Sequence, residues 1–223
     1  MRCAGHWCRF VLFCLGALLA LPAYAAARHI SIDTGECGGE LTVKDSAIKS
    51  TLYTDEARGL RAYGVLVYRH AAEDAKNNRC HVEFRIFVAV KGGDFDLVKS
   101  RVYDTEGGEI AGIDLIGVSP DGSKFAADTW LAEGDGQGHW PIVYDPAKKL
   151  VLDRDLAGKI QDRHRGCYQV EDFIGVTNKG EAIFAVPPSD DDSPECGDKG
   201  LWHFNLQTGR VIRVARISGD KWN

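Results

Sequence analysis

Short apolar runs alternate with polar turns along most of the chain, and one such stretch occurs twice. Residues 114–128, reading DLIGVSPDGSKFAAD, return as residues 172–186, reading DFIGVTNKGEAIFAV, at an offset of 58. Residues 143–152 match residues 203–212 at an offset of 60. The chain therefore contains an internal repeat. We interpret the segment in which the two extra residues fall as a loop.

Each copy has the pattern of a four-stranded antiparallel meander. An apolar run, a four-residue turn and a second apolar run are followed by a long polar gap and two more runs joined by a tight turn. The turn Ser119–Gly122 has Pro120 where φ must be near −65° and Gly122 where φ must be positive. The pattern therefore predicts two sheets of one design, each needing a neighbour to bury its face.

A third, more divergent unit precedes these two. Residues 81–90, reading HVEFRIFVAV, alternate apolar and polar positions as a half-buried strand does, and a Gly-rich turn and a returning run follow. We expect an all-β chain of antiparallel four-stranded meander units, at about 60–110, 111–168 and 169–223, that form a small or incomplete β-propeller. Residues 46–60 are the one helix-compatible stretch before residue 150.

The sequence SPDGSKFAAD at residues 119–128 resembles the blade motif of TolB-like and WD-type propeller repeats. The resemblance covers two units, residues 111–152 and 169–214. It implies the fold and says nothing of an activity.

The first 25 residues have the pattern of a secretory signal peptide. Arg2 and Arg9 supply the positive start, residues 10–21 the apolar core, and residues 23–25 an A-x-A cleavage site. No later stretch approaches the roughly 20 apolar residues of a membrane span. We therefore expect a periplasmic protein whose residues 26–223 form a single domain.

Charge narrows the choice of partner. The sequence has 27 Lys and Arg against 32 Asp and Glu, and the signal segment holds two of the basic residues, so the exported chain carries 25 − 32 = −7. This balance disfavours nucleic acid and anionic membranes, and it permits a basic protein. No cofactor or metal is expected.

Four of the seven cysteines remain after the signal segment, and an even number in an exported chain predicts disulfides. Four cysteines allow three pairings. We favour the two that each lie within one unit, Cys37 with Cys80 and Cys167 with Cys196. A metal site is the competing interpretation, but no C-x-x-C or H-x-x-x-H spacing occurs.

Three long polar segments, residues 71–80, 129–140 and 187–199, fall at one end of the predicted meanders, and the tight turns fall at the other. Long loops gathered on one side of a rigid scaffold commonly bind partners. Aromatic anchors inside a polar rim suit a protein interface. The opposing interpretation is solvated loops whose Trp rings pack back onto the sheet, and an acidic Ca²⁺ loop would lack the usual alternation of ligands. The candidate partner-binding residues are Trp130, Asp135, Gln137, His139, Trp140, Asp190, Asp191, Asp192 and Ser193.

Two classes of function are compatible with these features. In size, export, disulfides and predicted fold, the chain resembles periplasmic immunity proteins against type VI secreted cell-wall amidases, which implies a non-catalytic inhibitor. The alternatives are a propeller that binds or processes cell-envelope glycans through the acidic loops, and an envelope assembly factor. No G-x-S-x-G motif occurs, and the histidines are scattered over separate segments, so the sequence indicates no catalytic residues.

Overall fold

A computed structural model describes residues 29–33, 47–69, 80–105, 109–133, 136–154, 172–186 and 200–215. The prediction of an all-β chain is confirmed over these ranges, which contain no helix. Accordingly, no described segment is a helix that could cross a bilayer. The strands are β1 (Ile30–Asp33), β2 (Ala47–Lys49), β3 (Tyr53–Asp55), β4 (Leu60–Arg69), β5 (Cys80–Val90), β6 (Asp96–Thr105), β7 (Ile110–Val118), β8 (Phe125–Glu133), β9 (Gly136–Asp145), β10 (Leu150–Asp153), β11 (Asp172–Val176), β12 (Glu181–Val186), β13 (Gly200–Asn205) and β14 (Arg210–Ala215).

The strands form three antiparallel sheets. The first sheet has the order β2-β4-β5-β6, with β3 also paired to β4. The middle sheet has the order β1-β7-β8-β9-β10, and the third has the order β11-β12-β13-β14. Strands β7–β10 and β11–β14 are thus the two predicted four-stranded meanders. No closed barrel or complete propeller ring occurs in the described part of the chain, which agrees with the expected incomplete arrangement.

The middle sheet is buried on both faces. Phe125 and Ile142 pack into a core shared with the first sheet, whereas their chain neighbours Ala126 and Val143 pack into a core shared with the third. A strand covered on both sides must be apolar at consecutive positions, because successive side chains point to opposite faces. This accounts for the continuous apolar runs around these residues.

The repeat is preserved in the details of the backbone. A register shift lies at Ile116 between β7 and β8, and another lies at Ile174, the matching residue, between β11 and β12. A bulge of this kind leaves one residue unpaired and bends the strand. The two sheets therefore share an irregularity as well as a strand order.

The pairing also corrects the alignment of the two copies after their first turn. Gly117 pairs with Ala126, but the matching Gly175 pairs with Ile183, so the offset is 57 on β12 and not 58. The second copy has one residue fewer in that turn. The later offset of 60 is confirmed, since Val151 pairs with Tyr144 as the matching residues of the third sheet pair with each other.

One expectation from the sequence is wrong. Residues 129–140 are not a long loop, because β8 and β9 pair through this segment from Thr129 with Trp140 to Glu133 with Gly136. The helix-compatible stretch, over its described residues 47–59, forms β2, β3 and a turn, in keeping with the all-β prediction. In residues 129–140, a glycine that suggests a loop instead gives room for an indole ring: a Cβ on Gly138 would lie 3.2 Å from the Trp140 ring.

Polar contacts connect the sheets at both the tight turns and the outer strands. Arg58 Nη2 donates to the carbonyl of Pro120, and the backbone N–H of Asp121 donates to Asn178, so the first turns of all three sheets are joined. At the outer strands, Lys99 Nζ lies 2.6 Å from the Asp153 carboxylate. Polar contacts thus join the first and middle sheets at the tight turns and at the outer strands, and the middle and third sheets at the tight turns.

The space above Gly112 gives a stability prediction. Gly112→Ala forces the Trp130 ring to move, because the new Cβ would lie 2.2 Å from it, and we expect a loss of about 1–3 kcal/mol in the free energy of unfolding. Urea denaturation measures this loss. The matched control is Gly175→Ala, in a strand where the nearest atom to the new Cβ is 3.9 Å away, and it should change stability by less than about 1 kcal/mol. Equal effects of the two substitutions would contradict the packing of Trp130 on Gly112.

Candidate functional site

The β8–β9 hairpin carries the described members of the predicted partner-binding set. Trp130 and His139 are a cross-strand pair and share one face of the hairpin, which is directed toward the third sheet. Trp140 pairs with Thr129 and lies on the opposite face. The three aromatic anchors therefore do not form one patch.

The side chains of the other predicted partner-binding residues are not among those that the structure describes. Gln137 contributes its backbone to β9, opposite Ala132, but its side chain lies outside the described residues, as do Asp135 and residues 190–193. The predicted disulfides also lie outside the described part of the chain, apart from the backbone of Cys80 at the start of β5. These assignments stay predictions.

Trp140 packs against the first sheet. Its ring centroid lies 4.6 Å from that of Tyr103 on β6, and the Arg101 guanidinium lies 5.9 Å from the indole. The ring also covers its own strand, since a Cβ on Gly138 would lie 3.2 Å from it. Trp140 is partly exposed, so it both ties the hairpin to β6 and presents some indole surface to solvent.

His139 is a core residue and not a surface anchor. It is 7% exposed, and its Nδ1 lies 2.5 Å from Oδ2 of Asp128, which is itself only 1% exposed. The imidazole meets the ring of Phe184, on β12 of the third sheet, edge to face at 6.4 Å. A polar pair inside the sheet interface is stable because each group has a partner there.

A second carboxylate lies directly beside this pair. Asp114 on β7 is the cross-strand neighbour of Asp128, and His29 Nε2 approaches its Oδ1 to 3.4 Å. Trp130 Nε1 is buried on the same face. We call these four residues, Asp114, Asp128, Trp130 and His139, the buried polar cluster.

Burial and charge act differently on the two carboxyl groups of the cluster. Burial raises the pKa of Asp128 above its ordinary value, although His139 acts in the opposite direction. Burial also acts to raise the pKa of Asp114, but hydrogen bonds from His29 and Ser31, the charge of His29 and the nearby Trp130 indole outweigh it, so the net pKa is lowered. Two adjacent carboxylates repel, and the cluster relieves this by favouring the protonated form at Asp128.

Hydrogen bonding within the cluster is incomplete. Asp128 Oδ1 and Trp130 Nε1 are buried and have no partner at hydrogen-bonding geometry, although the indole is close enough to act on the pKa of Asp114. Buried groups left in this way cost about 1–3 kcal/mol each. No group of three or more His, Cys, Asp or Glu among the described residues is arranged to hold a metal ion. The buried polar cluster therefore lies at the base of the β8–β9 hairpin and joins its two strands.

Sequence reasoning missed this cluster, although Asp114 and Asp128 are the first and last residues of the repeated stretch. The signal in the sequence was Asp128, an aspartate inside the apolar run FAADTW. The second copy has Ala185 at the matching position. An acidic residue at a buried strand position needs a partner. That partner, His139, comes from the segment that was interpreted as a loop.

Comparison with known proteins leaves the function to be argued from these residues. No protein family model matches the chain, and neither a curated protein nor a solved structure matches it.

The raised pKa of Asp128 predicts a pH dependence of stability. The folded chain holds this proton more tightly than the unfolded chain, so the carboxyl's contribution to stability is lost as pH rises above its ordinary pKa of 3.8. Asp128→Asn removes that dependence. Urea unfolding from about pH 5 to pH 8 should therefore show the variant gaining stability relative to the original chain, by up to about 1.4 kcal/mol per pH unit.

Asp121→Asn is the matched control for that series. Backbone and side-chain hydrogen bonds from Ser123 and Ser119 hold the pKa of this turn carboxylate at about 2, so its stabilising contribution is lost only as pH falls toward that value. Its stability difference should stay constant above about pH 5. A constant difference for Asp128→Asn would contradict the account of the buried carboxyl.

Proposed function

We propose that this protein is an exported, non-catalytic binding module that blocks a secreted cell-wall-degrading effector in the periplasm. The observation that carries the proposal is the β8–β9 hairpin. It is a paired element at the end of the middle sheet with a partly exposed Trp on each face, and its base is held by the Asp128–His139 pair.

Rigid aromatic side chains suit such a role. Trp and Tyr are the commonest residues to dominate binding energy in protein interfaces, because they bury a large area and lose little conformational freedom. Trp130 rests on Gly112 and Trp140 rests on Tyr103, so both rings are held in place before any partner arrives. Binding through them requires little additional ordering.

Charge supports a protein partner with a basic surface around its cleft. The exported chain carries −7 by its sequence, and residues 190–192 are three consecutive aspartates in the segment between β12 and β13. The strand ends that flank this segment, Val186 on β12 and Gly200 on β13, correspond in the repeat to the β8–β9 end of the middle sheet. Complementary charge at the rim of an interface speeds association and selects the partner.

The proposal predicts which substitutions weaken binding to a secreted hydrolase encoded beside this chain. Trp130→Ala should cost about 2 kcal/mol, roughly a 30-fold loss of affinity, because it removes a buried aromatic anchor. Asp191→Ala should mainly change the on-rate and the salt dependence. The control is Asp121→Ala, at the opposite end of the sheet, which should bind as the original chain does. Titration calorimetry on variants with native circular dichroism measures the affinities.

Three results would count against the proposal. A loss of binding confined to the Asp121 variant would place the working surface at the tight turns. Deleting the gene should be toxic only while the neighbouring hydrolase is intact, so toxicity without that hydrolase would contradict immunity. Binding to cell-wall glycan fragments, with no protein partner, would favour the glycan-binding alternative.

A further inference from the structure

Strand β6 is the longest edge strand of the three sheets. It has 10 residues, whereas β14 has six and every other strand at a sheet edge has five or fewer. Among the described strands, it pairs with β5 alone, so the other side of its backbone faces no described strand. Natural proteins usually protect such an edge with a bulge, a proline or outward charges, because an open edge pairs readily with another strand.

The cations of β6 are turned toward the middle sheet, and its exposed charges, Asp96 and Asp104, lie near the two ends of the strand. Lys99 and Arg101 both bind the carboxylate of Asp153 on β10, and each is less than one quarter exposed. Arg101 also donates to the hydroxyl of Tyr103 on its own strand, at 2.7 Å. Lys99 and Arg101 therefore stabilise the contact between the first and middle sheets.

The outward row of β6 is apolar at its centre. Val102 is 61% exposed, more than any other large hydrophobic residue described, and Leu97 on the same strand is 51% exposed. The one register shift of β6 lies near its start, so residues 99–105 form a regular run against β5. A regular edge strand of this length, with Val102 exposed at its centre between Ser100 and Asp104, is suited to continuing the sheet.

We propose that two copies of this chain associate through β6, antiparallel, about a two-fold axis at Val102. In this register, Val102 of one copy faces Val102 of the other, and Ser100 faces Asp104. On the other face of the sheet, Arg101 lies opposite Tyr103. The first sheets of the two copies then form one continuous sheet whose inner faces remain on the same side, as a two-fold axis perpendicular to the sheet requires.

The charge pattern selects this register over its neighbours. A shift of one residue would place outward side chains opposite inward ones. Moving the axis to Arg101 would oppose two arginines, and moving it to Ser100 would oppose Lys99 and Arg101. Moving it to Tyr103 would set the apolar Val102 opposite the Asp104 carboxylate. Only the register centred on Val102 avoids like charges and joins the exposed valines.

The test uses the fact that position 102 faces itself. Sedimentation velocity of residues 26–223 should show a dimer. Val102→Lys and Val102→Glu should each be monomeric, with affinity reduced about 100-fold or more, because each places two like charges in direct contact. An equimolar mixture of the two variants should form a heterodimer. Val214→Lys, on the shorter edge β14, is the control and should remain dimeric.

Each other result would overturn the inference. A monomeric original chain, or a dimer that persists in Val102→Lys, would exclude association through β6. Failure of the mixture to associate, with both variants folded by circular dichroism, would exclude the register centred on Val102. Dissociation of the Val214 variant would place the contact on the third sheet.

Discussion

The structure depends on a middle sheet that is buried on both faces. Because successive side chains of a strand point to opposite sides, β8 and β9 must satisfy two cores at once. Phe125 and Ala126 meet this requirement on β8, and Ile142 and Val143 meet it on β9. The first and third sheets each bury one face against this layer, so neither interface forms without it. Arg58 and Asn178 then add polar contacts between the first turns of the sheets.

The same constraint explains the buried polar cluster and its relation to the proposed function. The hairpin continues beyond the apolar core, where Asp128 and His139 still face the third sheet and must find partners within it. Their pairing fixes the base of the hairpin. Trp130 and Trp140 are then held against the sheet on either side, in positions suited to an interface with another protein.

The sequence was sufficient for the strands, the turns and the repeat, because Gly122 and Gly180 mark turns and the apolar runs have strand length. The sequence was insufficient where the amino-acid composition of a segment suggests a loop but the segment pairs as strands. Residues 133–138, reading EGDGQG, have the composition of a loop, yet β8 and β9 pair as far as Glu133 and Gly136, and Gly138 accommodates the Trp140 ring. The Asp128–His139 pair depends on that hairpin, so it could not be found while the segment was interpreted as a loop.

Hydrogen exchange resolved by mass spectrometry tests the central position of the middle sheet most directly. If both of its faces are required by the fold, amides of β8 and β9 should exchange only through global unfolding, and those of the outer strand β14 should exchange earlier. Faster exchange in β8 and β9 than in β12 and β13 would mean that the third sheet is stable without the middle one. That result would contradict the account.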